Sequence, residues 1–489
     1  MTKIPIGQGY YVSPSAPLSS LTCNNLYPQY PLTKNPLSEA GLLRTPGAEA
    51  IQDSGVIGVG RGTRKFQKSD WLFHVTGDKL VKRTAINSVS TVVGTISGSG
   101  QVSMADNGET LCIIVPGVTG YFYDIDTDVL TEITDPVFTD FGLQEGGVTS
   151  VTEHNNRFVY TTDEEFFIGS LVTTNKGTDF NALDFEDAES ANDPIVRAME
   201  TSNELYIFNT ETIEVYKDIG GTDFPYQRIP GATIDRGLAS RFAVVHVKSD
   251  FYFLGKGENE QPSIIKTTPG GSQRVSTAAI DTLIQSYTDY ELSTVVAWTY
   301  SADGADFLGF NLPNQTVVLD LVATTLAGVP IWHTRTTGGS KWRVNTCQSI
   351  FGTTIVDDSL DSRVGSIERS ITSEYGAAVD REFTTLYLNA EGRSFVTRKV
   401  ELTCTRGVGT PLSNPVPENY NPTIECFFSV DQGNTYQTLG TTTFGNTGDY
   451  LQRQLWRRLG RSSTALILKF TTSAKVALDI QRLDLEIGV

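Results

Sequence analysis

Along most of the chain, short apolar runs alternate with turn-forming Gly, Asn and Asp, a pattern that predicts strands and hairpins. The stretch 102–134 shows the unit most clearly. It holds a short strand, the turn Asp106, Asn107, Gly108, and the apolar run Leu111, Cys112, Ile113, Ile114, Val115. After a break at Pro116 and Gly117 come the aromatic run Tyr121, Phe122, Tyr123, an acidic turn, and a last strand over 130–133. Asn-Gly favours the left-handed backbone angles that join right-twisted strands in a tight hairpin. Four strands in about 35 residues is close to the size of one β-propeller blade.

From about Gly55 the unit recurs, with starts near Val56, Gly100, Val148, Ile195, Leu238, Val295 and Trp342. Their spacing of roughly 40–55 residues is that of propeller repeats. Second strands stand out at 71–75, 111–115, 157–160, 205–208, 250–254 and 307–310, and third strands at 212–216 and 316–320. The pattern predicts a propeller of about six or seven blades over 55–375. Two stretches interrupt it. Residues 171–194, polar and acidic, read as an exposed loop. Ile280, Leu283, Ile284 and Tyr287 recur at helical spacing after Ser276 or Thr277, which predicts a helix packed across a blade or into a subunit interface.

Beyond about Gly376 the rhythm changes. Alternating strands at 398–403, 423–429, 465–470 and 476–480, separated by longer polar loops, predict a β-sandwich over 376–489. Residues 1–54 carry Pro5, Pro14, Pro17, Pro28, Pro31, Pro36 and Pro46, each fixing φ and biasing its predecessor to extended geometry. They read as an extended arm lying against its own domain or against a neighbouring subunit. The expected fold is therefore all-β: an arm, a β-propeller and a C-terminal β-sandwich.

The formal charge of −18 repels nucleic acid at long range, so sequence-specific DNA binding is not expected. It suits solubility, and equally a wall past which DNA slides. The five cysteines (Cys23, Cys112, Cys347, Cys404, Cys426) are scattered without a CxxC pair, which argues against a zinc knuckle, a redox motif and a disulfide-stapled secreted fold. The N-terminus lacks a signal peptide's apolar core, and no apolar run is long enough for a membrane helix.

The candidate chemistry is sparse. Ser429, Asp431, Gly433, Thr435 and Tyr436 match the Asp-box S-x-D-x-G-x-T-[WY], and Asp106, Gly108 and Thr110 repeat its core. Asp-boxes are common in sialidase propellers, which makes a glycosidase acting on surface glycans the enzymatic alternative. There, however, the box is a hairpin device, away from the chemistry. Asp124, Asp126 and Asp128 resemble the start of a calcium loop, but Val129 and Asp135 stand where an EF-hand needs Gly and Glu. His74, His154, His246 and His333 fall in separate units without HxH or HExxH spacing, and read as core or interface histidines. The pairs Glu164/Glu165 and Asp357/Asp358 are adjacent, so in a strand their side chains point to opposite faces and cannot act as one acid–base couple. No catalytic, cofactor or metal residue is assigned. The one basic concentration is Arg453, Trp456, Arg457, Arg458 and Arg461. It reads as a solvated strand edge, a DNA-facing rim or a subunit or partner interface, and the anchor preference of Arg and Trp favours the interface.

Several segments together resemble the tail-hub proteins of short-tailed phages, also called packaged-DNA stabilisation, head-completion or nozzle proteins. They are 25–28 (Asn-Leu-Tyr-Pro), 41–47 (Gly-Leu-Leu-Arg-Thr-Pro-Gly), 100–105, 279–288 and 455–461 (Leu-Trp-Arg-Arg-Leu-Gly-Arg). The resemblance implies a non-enzymatic virion tail protein assembled in the host cytoplasm, without cofactors, as a hexameric ring. That ring would join the adaptor (head-to-tail connector) below the portal, carry tailspikes or tail fibres and the needle plug, close the head after packaging, and line the DNA ejection channel. The acidic loop near Asp184 and the insert near Pro415 have no counterpart in it.

Overall fold

The computed structural model describes residues 2–15, 18–33, 38–51, 55–139, 147–162, 166–170, 180–187, 193–201, 203–220, 225–389, 393–411, 413, 416, 419–462 and 465–488; the side chains at 166, 181–187 and 458 are outside this description. Seven antiparallel meanders follow one another around a ring. Blade one runs outward from the axis through Gly60–Lys65, Leu72–Thr76, Lys79–Arg83 and Thr91–Thr95. Blade two is Ser103–Asp106, Thr110–Val115, Thr119–Asp124 and Val129–Glu132. Blade three is Val148–His154, Arg157–Thr162, Phe166–Ser170 and Phe180–Asp187. Blade four is Ile195–Glu200, Glu204–Asn209, Ile213–Asp218 and Tyr226–Arg228.

In blade five the inner position is shared by Gly237–Leu238 and Val244–Val247, both paired to Asp250–Lys256, with Ser263–Thr268 and Gly271–Arg274 outside. Blade six is Val296–Ala302, Ala305–Asn311, Thr316–Asp320 and Trp332–Thr337. Blade seven takes Cys347–Ile350, Thr353–Val356 and Gly365–Glu368 from one end of the propeller sequence, and its outer strand, Gly47–Ala50, from the other. Six of the seven blades are separate sheets; blade six is part of a ten-stranded sheet.

The physical reason for the ring is visible in the second strands. Leu111, Ile113 and Val115 pack into the layer between blades one and two, Cys112 and Ile114 into the layer between blades two and three, and all five are fully buried. A strand covered on both faces needs no polar alternation. Equivalent apolar layers fill each gap around the circle, ending with Leu72 of blade one against Ile350, Ile355 and Val364 on the blade-seven side. Tight turns close the hairpins where the sequence supplies left-handed residues, as at Asp303 (φ 53°) and Gly304 (φ 79°) in blade six.

The helix expected after Thr277 is present as Ala278–Ile284, followed by a short turn, Asp289–Leu292, with a Thr288/Glu291 capping box. Ile280, Ile284 and Leu292 lie in the apolar layer between blades five and six, with Leu254 and Phe310. A further helix, Leu321–Ala327, is capped by Asp320 and ended by Gly328 at φ 71°. The expected loop 171–194 is corrected in part: Phe180–Asp187 is the outer strand of blade three, paired to Phe166–Ser170. Residues 171–179 and 188–192, and positions 412, 414, 415, 417 and 418 of the insert near Pro415, lie outside the described residues.

The sandwich faces a six-stranded sheet against half of the ten-stranded one. The first has the order Gln454–Ser462, Phe395–Cys404, Asp479–Gly488, Gly41–Arg44, Leu26–Gln29, with Thr2–Ile4 added beside Asp479–Gly488. The second continues from Cys23–Asn24 through Arg381–Thr384, Ile467–Thr472 and Thr423–Ser429 to Gln437–Thr443. Val400, Leu402, Leu483 and Leu485 meet Ile424, Cys426, Leu468 and Phe470 between them.

The N-terminal segment therefore lies against its own chain, and belongs to both domains. Cys23–Asn24 pairs with Arg381–Thr384 on one side and, at Asn24, with Thr334 of blade six on the other. Asn25, left-handed at φ 53° and buried, accepts from Thr336 N (3.0 Å) and donates to Asp380 O (2.7 Å). Arg335 of blade six donates to Pro46 O (2.7 Å) and Tyr300 Oη (2.6 Å), with its guanidinium over the Trp342 ring. Arg44 and Arg369 both pair with Asp479.

Candidate functional surfaces: the arginine strand and the propeller channel

The basic cluster at 453–461 falls on Gln454–Ser462, the edge strand of the six-stranded sheet. Its register sets Trp456 opposite Val400, Leu455 opposite Glu401 and Arg457 opposite Lys399, and alternation then divides the cluster. Trp456 points into the sandwich, 4% exposed, with its indole N–H donating to Gly440 O (2.8 Å) and its ring edge-on to Phe470. It is a core residue of the sandwich. Arg457 and Arg461 are exposed. Arg453, also exposed, forks onto Glu401 (2.5 and 2.7 Å from Nη2), which Lys399 also reaches (2.8 Å). The side chain of Arg458 lies outside the described residues.

The Asp-box is a hairpin between two sandwich strands, away from the propeller. Asp431 accepts from the Thr435 hydroxyl (2.5 Å) and amide (2.9 Å) and from the Ser429 hydroxyl (2.7 Å), which together draw its carboxyl down to about 2. Gly433 takes φ 88°. In the partial copy in blade two, Asn107 caps the turn by accepting from Glu109 N and Thr110 N, while buried Asp106 takes Arg64 Nε (2.7 Å) and Gln67 N (2.8 Å) from blade one. The calcium-like turn spends its carboxylates internally: Asp124 accepts from Asp126 N and Thr127 N, and Asp128 pairs with Lys82 and with the Tyr123 hydroxyl. Among the described residues, no cluster of three or more His, Cys, Asp or Glu could hold a metal ion.

His74, His154 and His333 are buried, and His154 sits against the Tyr226 hydroxyl (3.3 Å). His246 is instead exposed, at the mouth of the propeller channel. Of the carboxylate pairs, Glu164/Glu165 lies outside the described residues. Asp358 pairs with Arg343 (2.6 Å) and Arg363 (3.5 Å), while Asp357 accepts from Asn345 N and Thr346 N. Both are structural.

Burial, and second the charge of Arg83 or Arg335, push His74 and His333 down to about 3. An unfolded imidazole protonates below about 6.5, so the stability these neutral rings supply is present above pH 6.5 and is lost as pH falls toward 3. Asp320 and Asp357, held up at about 6 by burial, act in the opposite sense between about pH 6 and 4. The readout is therefore a difference between two proteins. The stability of the natural chain minus that of His74→Gln, from urea unfolding, is expected to fall by about 2 kcal/mol between pH 6.5 and 5.

The C-terminal ends of the inner strands of blades one to five surround a cavity of about 190 Å³, lined by Arg64, Arg197, Glu153, Glu200, Met199 and His246 among others. Arg64 and Arg197 both line it, and the charges of Arg241 and Arg64 bear on Arg197. Arg64 is tied to buried Asp106, and the cavity is smaller than the roughly 300–1,000 Å³ of ordinary ligand pockets. Composition gave no hint of this grouping, because its members are contributed singly by separate blades.

The chain is thus a propeller whose last blade is closed by the N-terminal segment, fused to a sandwich that carries the arginine strand. Residues 2–372 match the family model described as the β-propeller of bacteriophage P22 Gp10, and residues 380–488 match that of its β-sandwich. The chain belongs to this family, the tail-hub proteins of short-tailed phages. Among curated proteins it is similar to the tail hub protein gp10 of Salmonella phage P22, 26% identical over 378 residues, covering 74% of this chain and 76% of that protein. Solved structures with similar folds include the β-propeller domain of Myceliophteria thermophila Cps50 (Swd1), 11% identical with a TM-score of 0.40 over 65% of this chain and 99% of that one. The WD40 propeller of Doa1 is 13% identical, with a TM-score of 0.39 over 66% and 98%.

Proposed function

We propose that this tail hub assembles as a hexameric ring beneath the portal and adaptor, closes the DNA-filled head after packaging, holds tailspikes or fibres and the needle, and forms part of the ejection channel. The observation that carries this reading is the family match over both domains. A closed ring needs heterologous interfaces related by rotation. Exposed Arg457 and Arg461, on a chain of net charge −18, offer a local positive surface to an acidic neighbour, which supports their use at such an interface. The net negative charge suits a lumen through which DNA passes without binding. No hydrolytic step is needed for any of this. The Asp-box that suggested a glycosidase is a sandwich hairpin, away from the propeller.

Particles assembled without this chain are expected to leak packaged DNA, and adding the purified protein is expected to restore nuclease-protected DNA. Full retention of DNA in its absence would overturn the closing role. Charge reversal at both Arg457 and Arg461 is expected to weaken incorporation into tails at least tenfold while leaving the purified chain folded; unchanged incorporation would remove the arginine strand from the interface.

A further inference from the structure

The cavity at the channel mouth holds a cation whose bonding is incomplete. Arg61, which among the described residues also has no carboxylate partner, donates to four backbone carbonyls. Among the described residues Arg197 makes one hydrogen bond, from Nη1 to Arg241 O (3.1 Å), its guanidinium lies over the Phe242 ring, and its buried Nε has no hydrogen-bond partner. Burial, then the charges of Arg241 and Arg64, push its pKa down to about 10, so it remains a cation at neutral pH. An arginine under that repulsion gains from an anion far more than a solvated one does, and its fork suits a planar carboxylate. The same mouth carries acceptors. Glu153 and half-buried Glu200 line it, and burial, then Glu153, raise the carboxyl of Glu200 above its usual range. Against such neighbours a bare dianion is repelled, whereas a ligand with one negative charge and several hydroxyl groups satisfies both signs. A volume of about 190 Å³ admits one ring and little more.

We propose that this mouth is a binding site for a single hydroxylated carboxylate, the size of one acidic sugar ring, with its carboxylate on Arg197 and its hydroxyls donating to Glu153 and Glu200. Five consecutive blades contribute to the lining, so no single blade holds the site. The inference does not depend on the hub reading: its ligand test uses the isolated chain, and its failure leaves ring assembly untouched.

The experiment titrates the full chain with glucuronate, acetate and inorganic phosphate, followed by calorimetry and saturation-transfer NMR. Glucuronate is expected to bind saturably and at least tenfold more tightly than acetate or phosphate. Arg197→Gln is expected to weaken glucuronate roughly tenfold or more. Glu200→Gln is expected to weaken glucuronate while leaving acetate unchanged, and it carries the test alone should the arginine variant fail to fold. Phosphate or acetate binding as tightly as glucuronate, glucuronate binding that survives the substitutions, or no binding of any probe would overturn the proposal.

Discussion

A chain that begins at residue 52 is expected to lose the cooperative fold of both domains at once, although the deletion removes only the segment that reads as an arm. Gly47–Ala50 is the outer strand of blade seven, so without it Gly365–Glu368 becomes an open edge and the ring loses its closure. Gly41–Arg44 and Leu26–Gln29 are two strands of the sandwich's six-stranded sheet, and Cys23–Asn24 is the strand through which the ten-stranded sheet passes between domains. Leu26, Tyr27, Leu42 and Leu43 alone are four buried side chains. At about 1.5–3 kcal/mol each they amount to roughly 6–12 kcal/mol, comparable with the whole stability of an ordinary domain. Limited proteolysis with urea unfolding checks the result. A truncated chain that keeps a protease-resistant propeller would show that the segment decorates the domains and does not clasp them.

Trp456→Ala is expected to cost about 3–5 kcal/mol, while Arg457→Glu, one residue away, changes stability by about 0.5 kcal/mol or less. The tryptophan fills the sandwich core against Phe470, and its indole N–H is satisfied by Gly440 O, so truncation leaves both a cavity and an unpaired carbonyl. The arginine stands in solvent on the opposite face of the same strand. Denaturation midpoints of the two variants measure the contrast directly. Equal, small effects would mean that Trp456 is not the packing residue its burial indicates.

This contrast also shows what the sequence could convey. Runs such as Leu111 to Val115 announced the blades, because a strand buried on both faces is apolar at every position, and the seven starts read from the pattern each fall within or just ahead of one blade. Leu321–Ala327 was hidden because only Ala323 is buried, although Asp320 before it and Gly328 after it were readable caps. Gly47–Ala50 carries no strand signal of its own; its place is fixed by three strands about 300 residues later, a pairing that local pattern cannot express. Phe180–Asp187 was masked by its acidic composition. At the arginine strand, composition found the region, but only the register could tell the inward Trp456 from the outward Arg457. The channel mouth was illegible for the same reason, since Arg64, Glu153, Arg197, Glu200 and His246 converge only when successive blades stack side by side.

The decisive measurement of ring assembly is electron microscopy of the purified chain mixed with portal–adaptor complexes of its own phage. Six copies are expected in a ring capping the adaptor, with the sandwich arginines at a contact, whether or not the free chain is a monomer. Adaptor complexes that remain bare under conditions where the chain is folded would contradict this assembly.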